Sequence, residues 1–269
     1  MMSRYIYILN IYKMYKTYLN AIETQLQITN PLDFNFKSNS NYTEILEHCN
    51  TSQGNQYLSE IVNRYNNLYT NNRELLINLC NKNDLYGKTI KSYINNFTVC
   101  SPSNLRYILH SFLILDYINQ NNLNDIDFIE IGGGYGGLCF FISNLSSLFN
   151  IRIKSYAIFD LLQASLLQKK YLEALEINNI QYYQLDNFNN LYINSFLISN
   201  YAFSEISKEL QIKYTNNILN PYTSYGFLTW NFIDVYDFIA NSKITKEIEY
   251  PLSCNNNYYV KFSPLSLVN

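Results

Sequence analysis

Residues 127–142 read DFIEIGGGYGGLCFFI. An apolar run carrying an acid leads into Gly132, Gly133, Gly134, Gly136 and Gly137, five of the eight glycines in the chain. An apolar segment of helical period follows. Strand, glycine turn and helix together make the opening unit of a parallel α/β sheet. Without a Cβ, the turn is free to take positive φ and to let another group approach the backbone.

The same alternation continues downstream. IDFIEI (126–131), the end of IRIKSYAIFD (151–160), IQYYQL (180–185), SFLISNYA (195–202) and YGFLTWNFI (225–233) read as strands. LLQASLLQKKYLEAL (161–175) and SKELQIKYTNNIL (207–219) read as helices between them, and DVYDFIAN (234–241) as a further helix. ITKEIEYP and NNYYVKFSP read as a closing strand pair. The expected fold class is α/β, Rossmann-like: a mostly parallel sheet with helices on both faces. Ligands on such sheets bind outside the carboxyl ends of the strands, where the strand order reverses.

Upstream, residues 1–122 read as a helical region and 123–269 as the α/β domain. NYTEILEHCN, GNQYLSEIVNRYNNLY and RELLINLCNK carry apolar residues at helical spacing, with Tyr57, Ile61, Tyr65 and Leu68 on one face. SPSNLRYILHSFLILDYINQ (101–120) reads as a helix capped by Ser101 or Ser103, with Pro102 in its first turn. The first nineteen residues, apolar but broken by Arg4, Lys13 and Lys16, read as an amphipathic helix and not as a signal peptide.

Composition narrows the partners. The chain has 269 residues, with 19 Lys+Arg against 21 Asp+Glu, so no basic surface for nucleic acid is expected. No run reaches the ~18 apolar residues of a membrane span. Cys49, Cys80, Cys100, Cys139 and Cys254 form no zinc-type spacing, and reduced thiols in a cytoplasmic setting are expected. The 27 Tyr and the many Asn read as coding bias, although Tyr-rich surfaces also suit sugar stacking.

The glycine loop fits two templates. Gly132, Gly134 and Gly137 match the dinucleotide pattern G-x-G-x-x-G. Glu130, Gly132, Gly134 and Gly136 match the E-x-G-x-G-x-G of S-adenosylmethionine (SAM) dependent methyltransferases. Glu130 favours the second, since an acid at the end of a buried strand is costly unless used, and a pyrophosphate gains nothing from it. Asp160 ends the next strand, 23 positions after Gly137, where two carboxylate oxygens can hold a ribose diol; capping the following helix is its other role. Asp186 is placed to accept from an adenine amine, or is a solvated turn acid. In LISNYAFSEIS (197–207), Ser199 and Asn200 can line cofactor and acceptor. Glu205 is read as the general base, or as an acid favoured by a helix N-terminus.

EIGGGYGGL, the Asp160 strand end, ISNYAFSEIS and YGFLTWN together resemble the sugar O-methyltransferases, a class I SAM-dependent group. SPSNLRYILHSFLI resembles that family's S-x-x-x-L-R-Y helix. The similarity spans roughly residues 85–235, and the family's Gly-x-Pro before this helix is absent, with LYGKT in its region. The resemblance implies a seven-stranded class I methyltransferase fold. It implies SAM as cofactor, S-adenosylhomocysteine as product, and a sugar or nucleotide-sugar acceptor. Carried onto this sequence, the cofactor residues are Glu130, Gly132, Gly133, Gly134, Tyr135, Gly136, Asp160, Leu161, Asp186, Asn187, Ser199, Asn200 and Arg106. Glu205, His110 and Tyr201 are the candidates for catalysis, with Tyr201 orienting or stacking and His110 alternatively a core histidine. Arg106 would pair with the methionine carboxylate or a substrate phosphate. Asp234 and Asp237 could hold a divalent metal, but no ligand spacing asks for one. A homodimer through the helical region is a further expectation, and His48 has no assigned place. Two other readings stay open: an NAD(P) oxidoreductase or epimerase of nucleotide sugars, and a non-catalytic module on a SAM fold.

Overall fold

The alternating apolar runs form one sheet in the computed structural model, which describes residues 16–43, 45–46, 49–253 and 256–265. The strands are β1 (Asp125–Ile131), β2 (Arg152–Phe159), β3 (Ile180–Tyr183), β4 (Ser195–Asn200), β5 (Thr223–Trp230), β6 (Ser242–Ile248) and β7 (Tyr258–Pro264). Their order across the sheet is β3-β2-β1-β4-β5-β7-β6. β1 to β5 run parallel, and β7 joins β5 and β6 antiparallel. The closing strand pair is therefore built as the sequence predicts, and the α/β class holds.

The chain winds from β1 outward to β3, then returns to lay β4 on the other side of β1. That reversal is the topological switch point. Register aligns the strand ends there. Ile131 pairs with Phe159, Glu130 with Ile198, and Asn200 with Thr229. Gly132, Asp160 and Asn200 thus emerge along one edge.

Helices cover both faces. α1 (residues 16–26), α2 (Thr51–Asn83) and α3 (Pro102–Gln120) precede the sheet. α4 (Gly137–Leu145) and α5 (Leu162–Ala174) pack with α3 on one face. The short turn α6 (Ala202–Glu205), α7 (Lys208–Tyr214) and a π-helical turn Thr215–Leu219 cover the other. Every residue of α3 from Pro102 to Leu115 is buried, because α2, α4 and the sheet enclose it. One apolar core runs from Tyr18 and Phe36 through α3 to Phe227 and Tyr259.

Several local expectations change. Among the described residues, NYTEILEHCN takes part in one helical turn, Ser40–Thr43. Asn50 then caps a new helix, its side chain accepting from Gln53 N while Gln53 reaches back to Asn50 N. The two helices expected at 54–69 and 73–82 follow one another within Thr51–Asn83 across a kink, with non-helical dihedrals at Asn72 in the expected gap and a further kink at Tyr65. Ser101 stands at the N-cap of α3 without a side-chain cap bond, and Pro102 takes the first turn. DVYDFIAN is not helical. Its Phe238 stacks on Trp230 with ring centroids 5.2 Å apart, and Trp230 Nε1 donates to Ile233 O. Anchoring to the sheet edge wins over helical period there. His48, Cys254 and the first fifteen residues lie outside the described residues. No described helix is long and apolar enough to cross a membrane.

Candidate functional site

The glycine loop continues the sheet before turning away. Gly132 N donates to Phe159 O at 2.8 Å, so the loop starts in register with β2. Gly132, Gly134 and Gly136 then take φ of +75°, +60° and +96°, conformations that other residues adopt only under strain. The loop is also tightly packed by the chain itself. A Cβ on Gly132 would lie 2.1 Å from Ala202 Cβ, and one on Gly133 would lie 2.7 Å from Ile158 Cγ2. On Gly134 it would meet Leu46 Cδ1 at 3.3 Å. The helix-start turn α6 and the segment around Leu46 therefore flank the loop. Tyr135 is turned inward, fully buried among Phe36, Tyr107 and Tyr171, so only its backbone borders the loop.

Glu130 is buried on the same strand face as α4, and its Oε2 accepts from Tyr156 Oη at 2.7 Å. Burial pushes its carboxyl up to about 7, against the Tyr156 bond and with the nearby Asp160 charge adding to the rise. The acid anticipated to face a ligand is turned into the core. Asp160 stands at the edge. Its Oδ1 accepts from Leu161 N at 2.8 Å and its Oδ2 from Gln168 Nε2 at 2.7 Å. Burial raises its carboxyl to about 6, while those donors and the amides of Gly134 and Gly133 hold it down. Gln168 also donates to Gly134 O, tying α5, Asp160 and the loop together. Beside it Leu161 is exposed, and Asp186 and Asn187 sit exposed in the turn after β3.

Across the switch point, Ser199 is spent within the fold, donating to Ile131 O and accepting from Phe203 N. Tyr201 takes φ +67°, ψ −36°, a region a bulky residue enters only when its surroundings fix it. Tyr201 N donates to Thr229 O at 2.8 Å, and its hydroxyl donates to the buried Glu249 and meets Ser253 Oγ at 2.8 Å. Glu205, at the end of α6, is exposed and accepts from Asn231 Nδ2 at 2.8 Å. The protein around it still pushes its carboxyl up from the ordinary glutamate range, against the Asn231 bond.

Arg106 and His110 lie on one face of α3, 2% and 1% exposed. His110 packs edge-on against Tyr57 and Tyr259; the Asn200 side chain lies close by, although neither ring nitrogen makes a hydrogen bond of good geometry. Burial and then the Arg106 charge lower its pKa to about 3, with Asn200 holding it up somewhat, so the ring is neutral at neutral pH. The structure thus gathers Arg106, His110, Asn200 and Tyr201 into one cluster and sets Glu205 apart, at the rim by Asn231. Asp234 and Asp237 are exposed, and among the described residues no group of three metal-type ligands forms.

Tyr57, Glu249, Ser253 and Asn257 were not anticipated. Tyr57 is spaced like a core residue of an amphipathic helix, and Glu249 lies in the β6–β7 connection. Only tertiary packing brings them to the cluster.

No family model and no curated protein matches the sequence. Solved structures similar to part of it include the YcgJ protein of Bacillus subtilis, at 12% identity over 46% of this chain and 51% of that one, TM-score 0.34. The mitomycin 7-O-methyltransferase MmcR is 9% identical over 61% and 57%, TM-score 0.39. A SAM-dependent methyltransferase from Aquifex aeolicus is 13% identical over 55% and 86%, TM-score 0.39. The chain thus spans little more than half the length of the first two.

Proposed function

We propose that the protein is a SAM-dependent O-methyltransferase acting on a hydroxyl of a sugar, either nucleotide-activated or glycan-linked. The observation that carries the reading is the shared edge at the switch point. The positive-φ glycine loop ends β1, Asp160 ends β2, and Asn200 and the strained Tyr201 end β4. The residues fit the cofactor. Asp160 offers a carboxylate for a ribose diol, exposed Leu161 an apolar surface for a base, and Asp186 an acceptor for its amine. Asn200 Oδ1 and Arg106 Nε are buried and make no hydrogen bond of good geometry. The antiparallel β6–β7 pair, and Tyr201 followed four residues on by Glu205 instead of Lys, count against the NAD(P) reading.

When bound, SAM would supply an electrophilic methyl group on sulfur. The chain must then hold the acceptor hydroxyl in line, exclude water and take its proton. Glu205 is the proposed base, since its raised carboxyl lies nearer the pH at which a base works best. His110, neutral and held near pKa 3, is too weak a base for that role and is assigned to the pocket wall. Tyr201, fixed by Glu249, orients the acceptor. The described helical residues before 123 are assigned to cover the acceptor side of the 123–269 domain, with Leu46 approaching the glycine loop.

The test is transfer of labelled methyl from SAM to a panel of nucleotide sugars and oligosaccharides. Label in a sugar hydroxyl supports the reading. Label only in non-sugar acceptors would remove the sugar assignment, and the absence of any transfer would favour a non-catalytic module.

A further inference from the structure

Five of the six positions 132–137 are glycines, so the loop has one side chain, that of Tyr135, by which the rest of the chain can grip it. Glycine loses more backbone freedom on ordering than any other residue. A loop of this composition keeps one conformation only if something outside it supplies the constraint. Tyr135 is fully buried, and Gly137 makes room for it: a Cβ there would lie 2.9 Å from Tyr135 Cζ.

The grip on Tyr135 comes from far upstream. Lys37, in the one-turn helix Phe36–Ser38, is the only buried lysine among the described residues, 2% exposed. Its Nζ stands 4.5 Å from the centre of the Tyr135 ring and 4.7 Å from that of Tyr171. It donates to Asn83 O, at the end of α2, and to Tyr171 Oη at 2.7 Å. Tyr171 Oη donates onward to Asn83 Oδ1 at 2.8 Å. Asn83 Nδ2 then donates to Tyr135 Oη at 3.3 Å and to Asn104 Oδ1 at 2.7 Å. Asn104 Nδ2 donates to Asp84 Oδ1 at 2.9 Å, so the network ends on a buried acid. Burial raises the Asp84 carboxyl, and Lys37 is the charge that chiefly holds it down. The stem of Lys37 is fitted as well. Gly87, in LYGKT, takes φ +94°, and its O accepts from Lys37 N at 3.0 Å. A Cβ on Gly87 would lie 2.7 Å from Lys37 Cγ. Capping the last carbonyls of α2 accounts for the bond to Asn83 O. Capping alone needs neither the Tyr135 ring nor the tie through Asn83 to its hydroxyl.

We propose that Lys37 is a positioning residue for the glycine loop, acting through Tyr135, Tyr171 and Asn83 to hold it in the conformation that receives the cofactor. A cation over an aromatic face and a charge-assisted hydrogen bond are both stronger away from water. The loop is then ordered before binding, and the cofactor does not have to supply that ordering from its own contacts. The inference rests on the methyltransferase reading for its ligand, and not for the order of the loop.

Hydrogen exchange at the amides of Gly132 and Gly136, which donate to Phe159 O and Gly133 O, reports loop order without any ligand. Lys37→Met should speed exchange at both roughly tenfold and weaken calorimetric binding of S-adenosylhomocysteine by about as much. Val260→Ala truncates the core on the other face of the sheet. It should move neither readout at a temperature where both variants are fully folded. Unchanged exchange in Lys37→Met would overturn the inference whatever the affinity. So would faster exchange with unchanged affinity, which leaves Lys37 a helix cap, and an equal effect from Val260→Ala, which makes the change a general softening. If Lys37→Met does not fold, Tyr171→Phe removes the hydroxyl that accepts from Lys37; a change of about threefold is expected in both readouts, and no change overturns the inference. Failure of the wild type to bind S-adenosylhomocysteine would remove the methyltransferase reading, and the exchange comparison would then decide the positioning role by itself.

Discussion

Substituting alanine at Gly132 tests how the loop and the β4 turn are held together. The new Cβ would sit 2.1 Å from Ala202 Cβ, where ordinary contact begins near 3.4 Å, so one backbone must move by more than an ångström. Overpacking of this kind costs about 1–3 kcal/mol. Holding alanine at φ +75° adds about 1–2 kcal/mol. Gly132→Ala should therefore lose about 2–5 kcal/mol of stability, a large share of the roughly 5–15 kcal/mol of a typical domain. Ala202→Gly removes the other half of the clash and leaves the φ cost. In a double-mutant cycle by urea unfolding, adding Ala202→Gly should recover the overpacking share of about 1–3 kcal/mol, beyond its own single-site effect. A Gly132→Ala variant as stable as the wild type would refute the contact. So would a cycle with no coupling between the two positions.

Three further outcomes follow from the titrating and hydrogen-bonded groups. The folded pKa of Glu130, about 7, lies above the ordinary 4.5, so the folded chain keeps a proton that the unfolded chain releases. Stability should fall as pH rises from about 4.5 through 7, and Glu130→Gln should remove that share of the slope, gaining up to about 3 kcal/mol at pH 8; an unchanged slope in urea melts across this range would contradict the burial argument. Glu205→Gln should keep its affinity for S-adenosylhomocysteine and lower kcat by about 10²–10⁴; wild-type turnover would remove it from the role of base. Tyr201→Phe withdraws a donor from buried Glu249 and should cost about 1–3 kcal/mol, read by thermal or urea unfolding, with no loss showing that Ser253 alone satisfies the carboxylate.

The parts of the fold governed by local pattern were legible in the sequence. Alternating apolar runs gave the strands, and the clustered glycines marked the loop because no other residue takes φ of +60° to +96° at so many nearby positions. Asp160 was legible because its spacing from the loop is set by one β-α-β unit. The break at Asn72 was legible in the Asn-rich stretch 66–72, whereas the kink at Tyr65 was not, since Tyr65 continues the apolar face of its helix. The direction of Glu130 was not legible either. Strand alternation puts its side chain on the face of Phe128, facing Tyr156 in the core, and the acid's chemistry obscured that parity. Glu249 carries no local mark, because its meaning comes from Tyr201, 48 positions away.

SAM binding is proposed for the edge formed by the glycine loop, Asp160 and Asn200. Calorimetric titration of the whole protein with S-adenosylhomocysteine and, separately, NADH tests it most directly. Saturable binding of S-adenosylhomocysteine that Asp160→Ala abolishes, and no binding of NADH, are expected. Binding of NADH without S-adenosylhomocysteine would contradict it.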